Sequence, residues 1–144
     1  MVHAKPGSRL EAVTDELSRQ TLPTFFGVLE LLLRAGVTTV AEAAFQDRLW
    51  RPGLEPLRSL ARIRIVHCTV QADVAFKRSL QRSKENPLRR AHADASSRDA
   101  DDYLRRHRAF DRIALDAPWI EVGTTDGYRP TLEEIIAFVN EPNR

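Results

Sequence analysis

Nine residues, Val37-Thr38-Thr39-Val40-Ala41-Glu42-Ala43-Ala44-Phe45, constrain the fold more than any other stretch of this chain. Gly36 precedes them, four β-branched residues open the run, and no charge appears before Glu42. A short apolar run bounded by Gly reads as a strand buried on both faces. Such strands belong to α/β sheets, where ligands bind in the crevice beyond the carboxyl ends of the strands. Glu42 stands where the run stops. It either meets a ligand there or solvates the strand end.

Helical signals flank this strand. Residues 1 to about 13 read as irregular, with Pro6 and Gly7. Thr14-Asp15-Glu16 places a capping residue before two acids, which favours a helix start. Apolar residues then crowd towards Leu31-Leu32-Leu33, so the end of this helix is expected to be buried nearly all round. Pro23 kinks it or opens a second helix. Arg34-Ala35-Gly36 supplies a terminal cation and a C-cap glycine. A short helix is expected from Pro52 to Leu60, with Leu54, Leu57, Leu60 and Ala61 inside.

The second expected strand is Ile63–Val70, with His67 and Thr69 on one face and Cys68 packed in the interior. His67 reads as a hydrogen-bonded residue, because no metal-type residue accompanies it. A helix follows from Asp73 to about Arg82, built around Phe76 and Leu80. Ser83–Pro87 is a loop signal. A helix resumes near Asp99 with Tyr103, Leu104 and Phe110 as its core. The third strand is Trp119–Val122, and Gly123-Thr124-Thr125-Asp126-Gly127 is its turn-rich exit. Thr131-Leu132-Glu133-Glu134 is a capping box opening the last helix, with Leu132, Ile135, Ile136 and Val139 facing inwards. Glu141-Pro142 stops it. Strands alternating with helices imply a parallel sheet.

The length of 144 residues fits one domain that buries about two-thirds of its unfolded surface. No apolar run is long enough to span a bilayer, and the first residues lack the hydrophobic core of a signal peptide. One cysteine cannot form an internal disulfide. These features lead to the expectation of a cytoplasmic protein without membrane contact. The net charge of +2 is modest, but eleven of the 22 basic residues fall between Lys77 and Arg112 against six acids. Such a block binds phosphate or forms a solvated helix face.

Four features are expected to meet at the carboxyl edge of the sheet. Glu42 is followed by Phe45, Gln46 and Arg48. A carboxylate there acts as a base, orients a hydroxyl or holds a magnesium-bound water. The basic segment from Arg82 to Arg98 offers planar guanidiniums suited to phosphate oxygens and to the charge of a transferring phosphoryl group. The exit Thr124–Tyr128 and Arg48 itself complete the set.

These residues resemble a known family. Glu42-Ala43-Ala44-Phe45 after a strand, Ile65-Val66-His67-Cys68-Thr69-Val70 before a helix, Asn86-Pro87-Leu88-Arg89-Arg90-Ala91-His92 in a basic loop, and Glu121-Val122-Gly123-Thr124-Thr125-Asp126-Gly127 look like the later two-thirds of a P-loop kinase. The chain is similar, from about Val2 to Asn140, to the AAA-family ATP-binding proteins related to chloramphenicol phosphotransferase and zeta-toxin kinases. The resemblance implies a three-layer α/β/α parallel sheet in one incomplete domain over residues 1–144, with a basic lid-like segment at about 82–98. It implies ATP and Mg²⁺ as cofactors of the intact family and a small-molecule phosphoryl acceptor. Glu42 and Arg89 would be catalytic, and Arg82 and Arg90 would be lid arginines on the nucleotide. Thr125, Asp126 and Gly127 would lie beside the base, and Phe45, Gln46 and Arg48 would face the acceptor.

One departure is large. The family's Gly-x-x-x-x-Gly-Lys-Ser/Thr loop, whose backbone amides and lysine cradle phosphates, is missing from this sequence. The strand after it, with its acidic residue, is missing too, so the expected sheet lacks the family's first two strands. The first reading is therefore the C-terminal part of an ATP-dependent kinase, weak or inactive as this chain and holding no cofactor of its own. A second is a non-catalytic module that binds an anion, nucleic acid being disfavoured because aromatics are not interleaved with the basic residues. A third is a homodimer through exposed strand edges.

Overall fold

The computed structural model describes residues 6–85 and 100–142, with side chains described from Arg19 onwards. The chain forms α1 (Pro6–Arg34), α2 (Asp47–Leu54), a 3₁₀ turn (Glu55–Ser59), β1 (Ile65–Thr69), α3 (Ala72–Glu85), α4 (Ala100–Arg108), β2 (Trp119–Gly123) and α5 (Leu132–Asn140). No helix among the described residues is long and apolar enough to cross a membrane.

Helix α1 begins eight residues before Thr14 and continues through Pro23. Proline removes one helical hydrogen bond, but packing beyond it outweighs that loss. Phe25 and Phe26 lie edge-on to Trp50 of α2, at centroid distances of 5.1 and 5.7 Å. Leu29 is buried one turn on. The helix is not buried all round at its end, because Val28 and Leu31 are exposed on the other face. Gly36, at φ +74°, ends it as expected. The Val37 N–H donates to Leu32 O and the Gly36 N–H to Leu33 O, both at 3.0 Å. This double closure needs a left-handed residue, which glycine adopts without steric penalty.

The stretch Val37–Phe45 forms no strand. This overturns the strongest fold expectation of the sequence. Val40, expected at the centre of a buried strand, is 94% exposed. A β-branched run becomes a strand only where a neighbour takes its backbone groups, and among the described residues no strand pairs with it. Pairing resumes only at Gln46, in a single antiparallel bridge with Arg112.

Among the described residues the sheet has two strands rather than three. β1 and β2 run parallel, with Ile65 opposite Trp119, His67 opposite Glu121 and Thr69 opposite Gly123. His67 and Thr69 therefore share a face, as the alternation implies. The expectation of a sheet covered on both faces fails. Val122 is 1% exposed, whereas Val66 and Trp119 are exposed. Cys68 is exposed rather than packed, because it shares with Val66 a sheet face that is left uncovered among the described residues.

Helix α2 starts at Asp47, not Pro52, and the 3₁₀ turn carries it on to Ser59. Asp47 sets this start: its Oδ1 accepts the Ala114 N–H at 2.7 Å, and its Oδ2 pairs with Arg51 at 3.2 Å. Leu57 is buried and Leu54, Leu60 and Ala61 are half-buried, so that stripe stands as read. On α3 the inner residues are Ala75 and Phe76, while Leu80 is exposed. Tyr103 of α4 packs on Phe76 at 5.2 Å, but α4 ends at Arg108 and leaves Phe110 exposed. The capping box of α5 is present in full. The Thr131 N–H donates to Glu134 Oε2 at 2.8 Å, and the Glu134 N–H to Thr131 Oγ1 at 3.4 Å. Of the four apolar residues expected inside α5, only Ile135 is half-buried; Leu132, Ile136 and Val139 are exposed.

Gly53 of α2 lies beneath the Phe26 ring, where a Cβ would overlap ring carbons. Helix propensity alone predicts that Gly53→Ala stabilises by up to about 1 kcal/mol. Overpacking costs about 1–3 kcal/mol, so the expected net result is a loss of about 1 kcal/mol in urea denaturation. A stabilised variant would show that the Phe26 ring can move away freely.

Candidate functional site

The parallel register sets the carboxyl ends of β1 and β2 side by side. A clasp of hydrogen bonds closes them. The Thr124 N–H and Oγ1 both donate to Thr69 O, at 2.7 and 2.9 Å. The Gln71 N–H, just before α3, donates to Thr125 Oγ1 at 2.9 Å. Arg78 of α3 spans the β2 exit, donating from Nη1 to Thr124 O at 2.8 Å and from Nη2 to Thr125 O at 3.0 Å. A planar guanidinium can hold two successive carbonyls in this way; an ammonium cannot match the fork.

One helical turn beyond Arg78 stands Arg82. Both line an open cavity of about 510 Å³ with Val70, Glu85, Tyr103 and His107. Residues four apart share a helix face, so Arg78 and Arg82 on α3 meet Tyr103 and His107 on α4. The cavity wall thus carries two guanidiniums against one carboxylate. Glu85 accepts a hydrogen bond from Gln81 Nε2 at 2.8 Å. Arg82 makes no hydrogen bond or ion pair among the described residues. This geometry suits an anion with a flat, partly apolar body: the guanidiniums attract the charge and the Tyr103 ring offers a face.

The expected site residues fall into three groups. Arg82 lines this cavity, and Thr125 joins it through Arg78. Asp126 and Gly127 continue the same turn and are exposed, Gly127 at φ +73°. Arg89 and Arg90, with most of the lid-like segment, lie outside the described residues; its first residues form the last turn of α3. Glu42, Phe45 and Gln46 lie in the connection between α1 and α2, and Arg48 in the first turn of α2. Phe45 packs edge-on to Trp50 at 5.0 Å. Gln46 pairs its backbone with Arg112. Glu42 and Arg48 are exposed. Among the described residues no hydrogen bond, ion pair or ring contact links these four to the β2 exit. Nor do any three metal-ligating side chains cluster there.

Arg78, Tyr103 and His107 were not singled out as site residues from the sequence, Tyr103 being read as core. Their signal was the repeated spacing of four on two helices that the topology packs together.

The three comparisons return nothing: no family model, no curated protein and no solved structure matches the chain.

A second titratable position lies on the sheet. His67 is half-buried, its ring 5.8 Å from that of Trp119. Burial holds its imidazole below the usual range, and the Arg112 guanidinium acts in the same direction. Glu121 opposes both, but its carboxylate is already engaged by Arg112 at 2.6 Å. The unfolded chain therefore takes up this proton first as pH falls. Stability is complete above the ordinary imidazole value of about 6.5 and drops as pH falls through it towards the folded value. Thermal unfolding of the wild type is expected to weaken more between pH 8 and pH 5.5 than that of His67→Gln. Parallel pH profiles would refute this assignment.

Proposed function

We propose that this chain is part of a P-loop-type phosphotransferase, a three-layer α/β/α module whose α3–α4 cavity meets the phosphates of ATP·Mg²⁺. The observation that carries this reading is the clasp. Arg78 fixes the β2 exit to α3 and leaves Arg82 one turn away, lining an open cavity beside the strand ends. Arg82, helped by Arg89 and Arg90, holds phosphate oxygens, and Thr125, Asp126 and Gly127 flank the base. Glu42 serves as the base or orienting carboxylate at the acceptor, with Phe45, Gln46 and Arg48 around the acceptor itself. Those roles require the Val37–Phe45 stretch to be drawn towards the strand ends.

Phosphoryl transfer rests on positioning and charge stabilisation. Without a Gly-x-x-x-x-Gly-Lys loop the phosphates lose their backbone cradle, so this chain binds nucleotide weakly and turns it over poorly or not at all. The missing motif also supports a second reading, in which the same cavity holds an anion without chemistry.

Calorimetric titration with ATP·Mg²⁺ tests the assignment. The expected dissociation constant is weaker than about 100 μM, above about −5.5 kcal/mol. Arg82→Ala is expected to weaken it at least about fivefold, in the range of one charge-assisted hydrogen bond. Micromolar affinity with turnover would overturn the prediction of a weak chain. Binding indifferent to Arg82→Ala would place the nucleotide elsewhere, and no binding at millimolar ATP would remove the nucleotide reading.

A further inference from the structure

Arg78 serves two places at once. Its Nη1 and Nη2 donate to the carbonyls of Thr124 and Thr125, at 2.8 and 3.0 Å, and the same side chain lines the open cavity between α3 and α4. A guanidinium has five N–H groups, so the two carbonyls leave three of them over. Arg78 makes no ion pair among the described residues. Spare donors and a full positive charge therefore remain at the cavity, and Arg82 adds a second guanidinium one turn on. Glu85, the one carboxylate of the lining, accepts from Gln81 Nε2 and pairs with neither arginine.

We propose that Arg78 is the positioning residue of this anion site: its guanidinium bridges a bound anion and the β2 exit, so that an occupied cavity tightens the turn after β2 and the start of α3. The proposal rests on the reading that the cavity holds an anion, and it names the group through which that anion is felt elsewhere.

The physical basis is a shared ordering cost. Arg78 is exposed, and a long exposed side chain gives up rotamer freedom to hold two carbonyls. An anion that takes its remaining N–H groups restricts the same rotamers. Once one partner holds the side chain, the other binds without that loss, which is positive cooperativity without a change of shape. The coupling is reciprocal: the clasp strengthens anion binding by the factor by which the anion strengthens the clasp.

The route onward is short. Thr124 gives its N–H and hydroxyl to Thr69 O, and Thr125 Oγ1 receives the Gln71 N–H directly before α3. Arg78 stands on α3 itself, so the contacts close a ring from Gln71 through Thr125 to Arg78 and back along the helix. Fixing Arg78 on Thr125 O holds the Thr125 hydroxyl against the Gln71 N–H. The amides of Gln71 and Thr124 report on this ring, because each is held by a bond of the clasp. A lysine in place of Arg78 keeps the charge at the cavity but lacks the planar fork that serves two carbonyls and an anion together, so it separates charge from position.

Inorganic pyrophosphate is the probe, since it offers two oxyanion groups to Arg78 and Arg82 and has no base to touch the turn directly. Calorimetry gives its affinity, and amide hydrogen exchange is followed by NMR, free and saturated, in the wild type, Arg78→Lys and Arg82→Ala. Circular dichroism confirms that each variant keeps its helices. In the wild type, saturation is expected to slow exchange at Gln71 and Thr124 at least about fivefold, the low end of ordinary coupling between sites. The Trp50 N–H, bonded to Gln46 O in the aromatic cluster, is expected to be unaffected. Arg78→Lys is expected to weaken binding by no more than about tenfold, in the range of one charge-assisted hydrogen bond, and to abolish the slowing. Arg82→Ala is expected to weaken binding at least about fivefold and to keep the slowing at saturation. Arg82-dependent binding without slowing at Gln71 and Thr124 would overturn the inference and leave the anion site standing. Equal slowing at Trp50 would show general stabilisation, and slowing that survives Arg78→Lys would show another route; either overturns it. No binding at millimolar pyrophosphate would remove the anion site and the inference with it.

Discussion

The carbonyl of Thr69 is the point on which the organised end of this molecule depends. It accepts two hydrogen bonds from one residue, the Thr124 backbone N–H and the Thr124 hydroxyl. Thr125 then meets the Gln71 N–H, and Arg78 grips the next two carbonyls. A net hydrogen bond is worth about 1 kcal/mol and one to a charged group about twice that, so the clasp is substantial for a small sheet. The described apolar core is thin, with six hydrophobic residues buried: Leu29, Leu57, Ala75, Ile113, Leu115 and Val122. A core of that size leaves the direction of the β2 exit undetermined. The polar clasp determines it, and it also sets α3, and therefore Arg82, against the strand ends.

What the sequence made legible were features whose physics is local. Gly36 adopts a left-handed conformation because two carbonyls at the end of α1 need donors. Thr131 and Glu134 cap each other within one turn. Ile65–Thr69 and Trp119–Gly123 appear as strands close to their expected bounds. The failures involve residues whose fate depends on distant neighbours. Val37–Val40 has the composition of a strand, but strand formation needs a second backbone, and β propensity measures that context more than the segment itself. Cys68 and Val66 read as interior residues of a sheet covered on both faces, yet the face they share is exposed. Leu132, Ile136 and Val139 carry helical periodicity. Periodicity states which residues share a face but not what that face meets. In the site, Arg82 was named from its place in the basic segment and from the family resemblance. Arg78 went unnamed because its role is to hold backbone carbonyls across 46 residues of sequence.

The two ends of the structure are held by different forces, and this explains their different character. Around Trp50 the chain is fastened by rings. Phe25, Phe26 and Phe45 all meet that indole edge-on, an arrangement their quadrupoles favour. Asp47 joins that cluster to the approach of β2 through the Ala114 N–H. Around Thr69 the chain is fastened by hydrogen bonds and guanidinium. A cavity bounded by donors and acceptors suits a polar ligand, whereas a packed aromatic cluster leaves Phe45 engaged with Trp50 and Glu42 in solvent.

A two-stranded ladder is marginal by itself and relies on whatever packs against it. Here the clasp supplies that support at the carboxyl ends, where Thr124, Thr125 and Arg78 join both strands to α3, while no further strand pairs with β1 among the described residues.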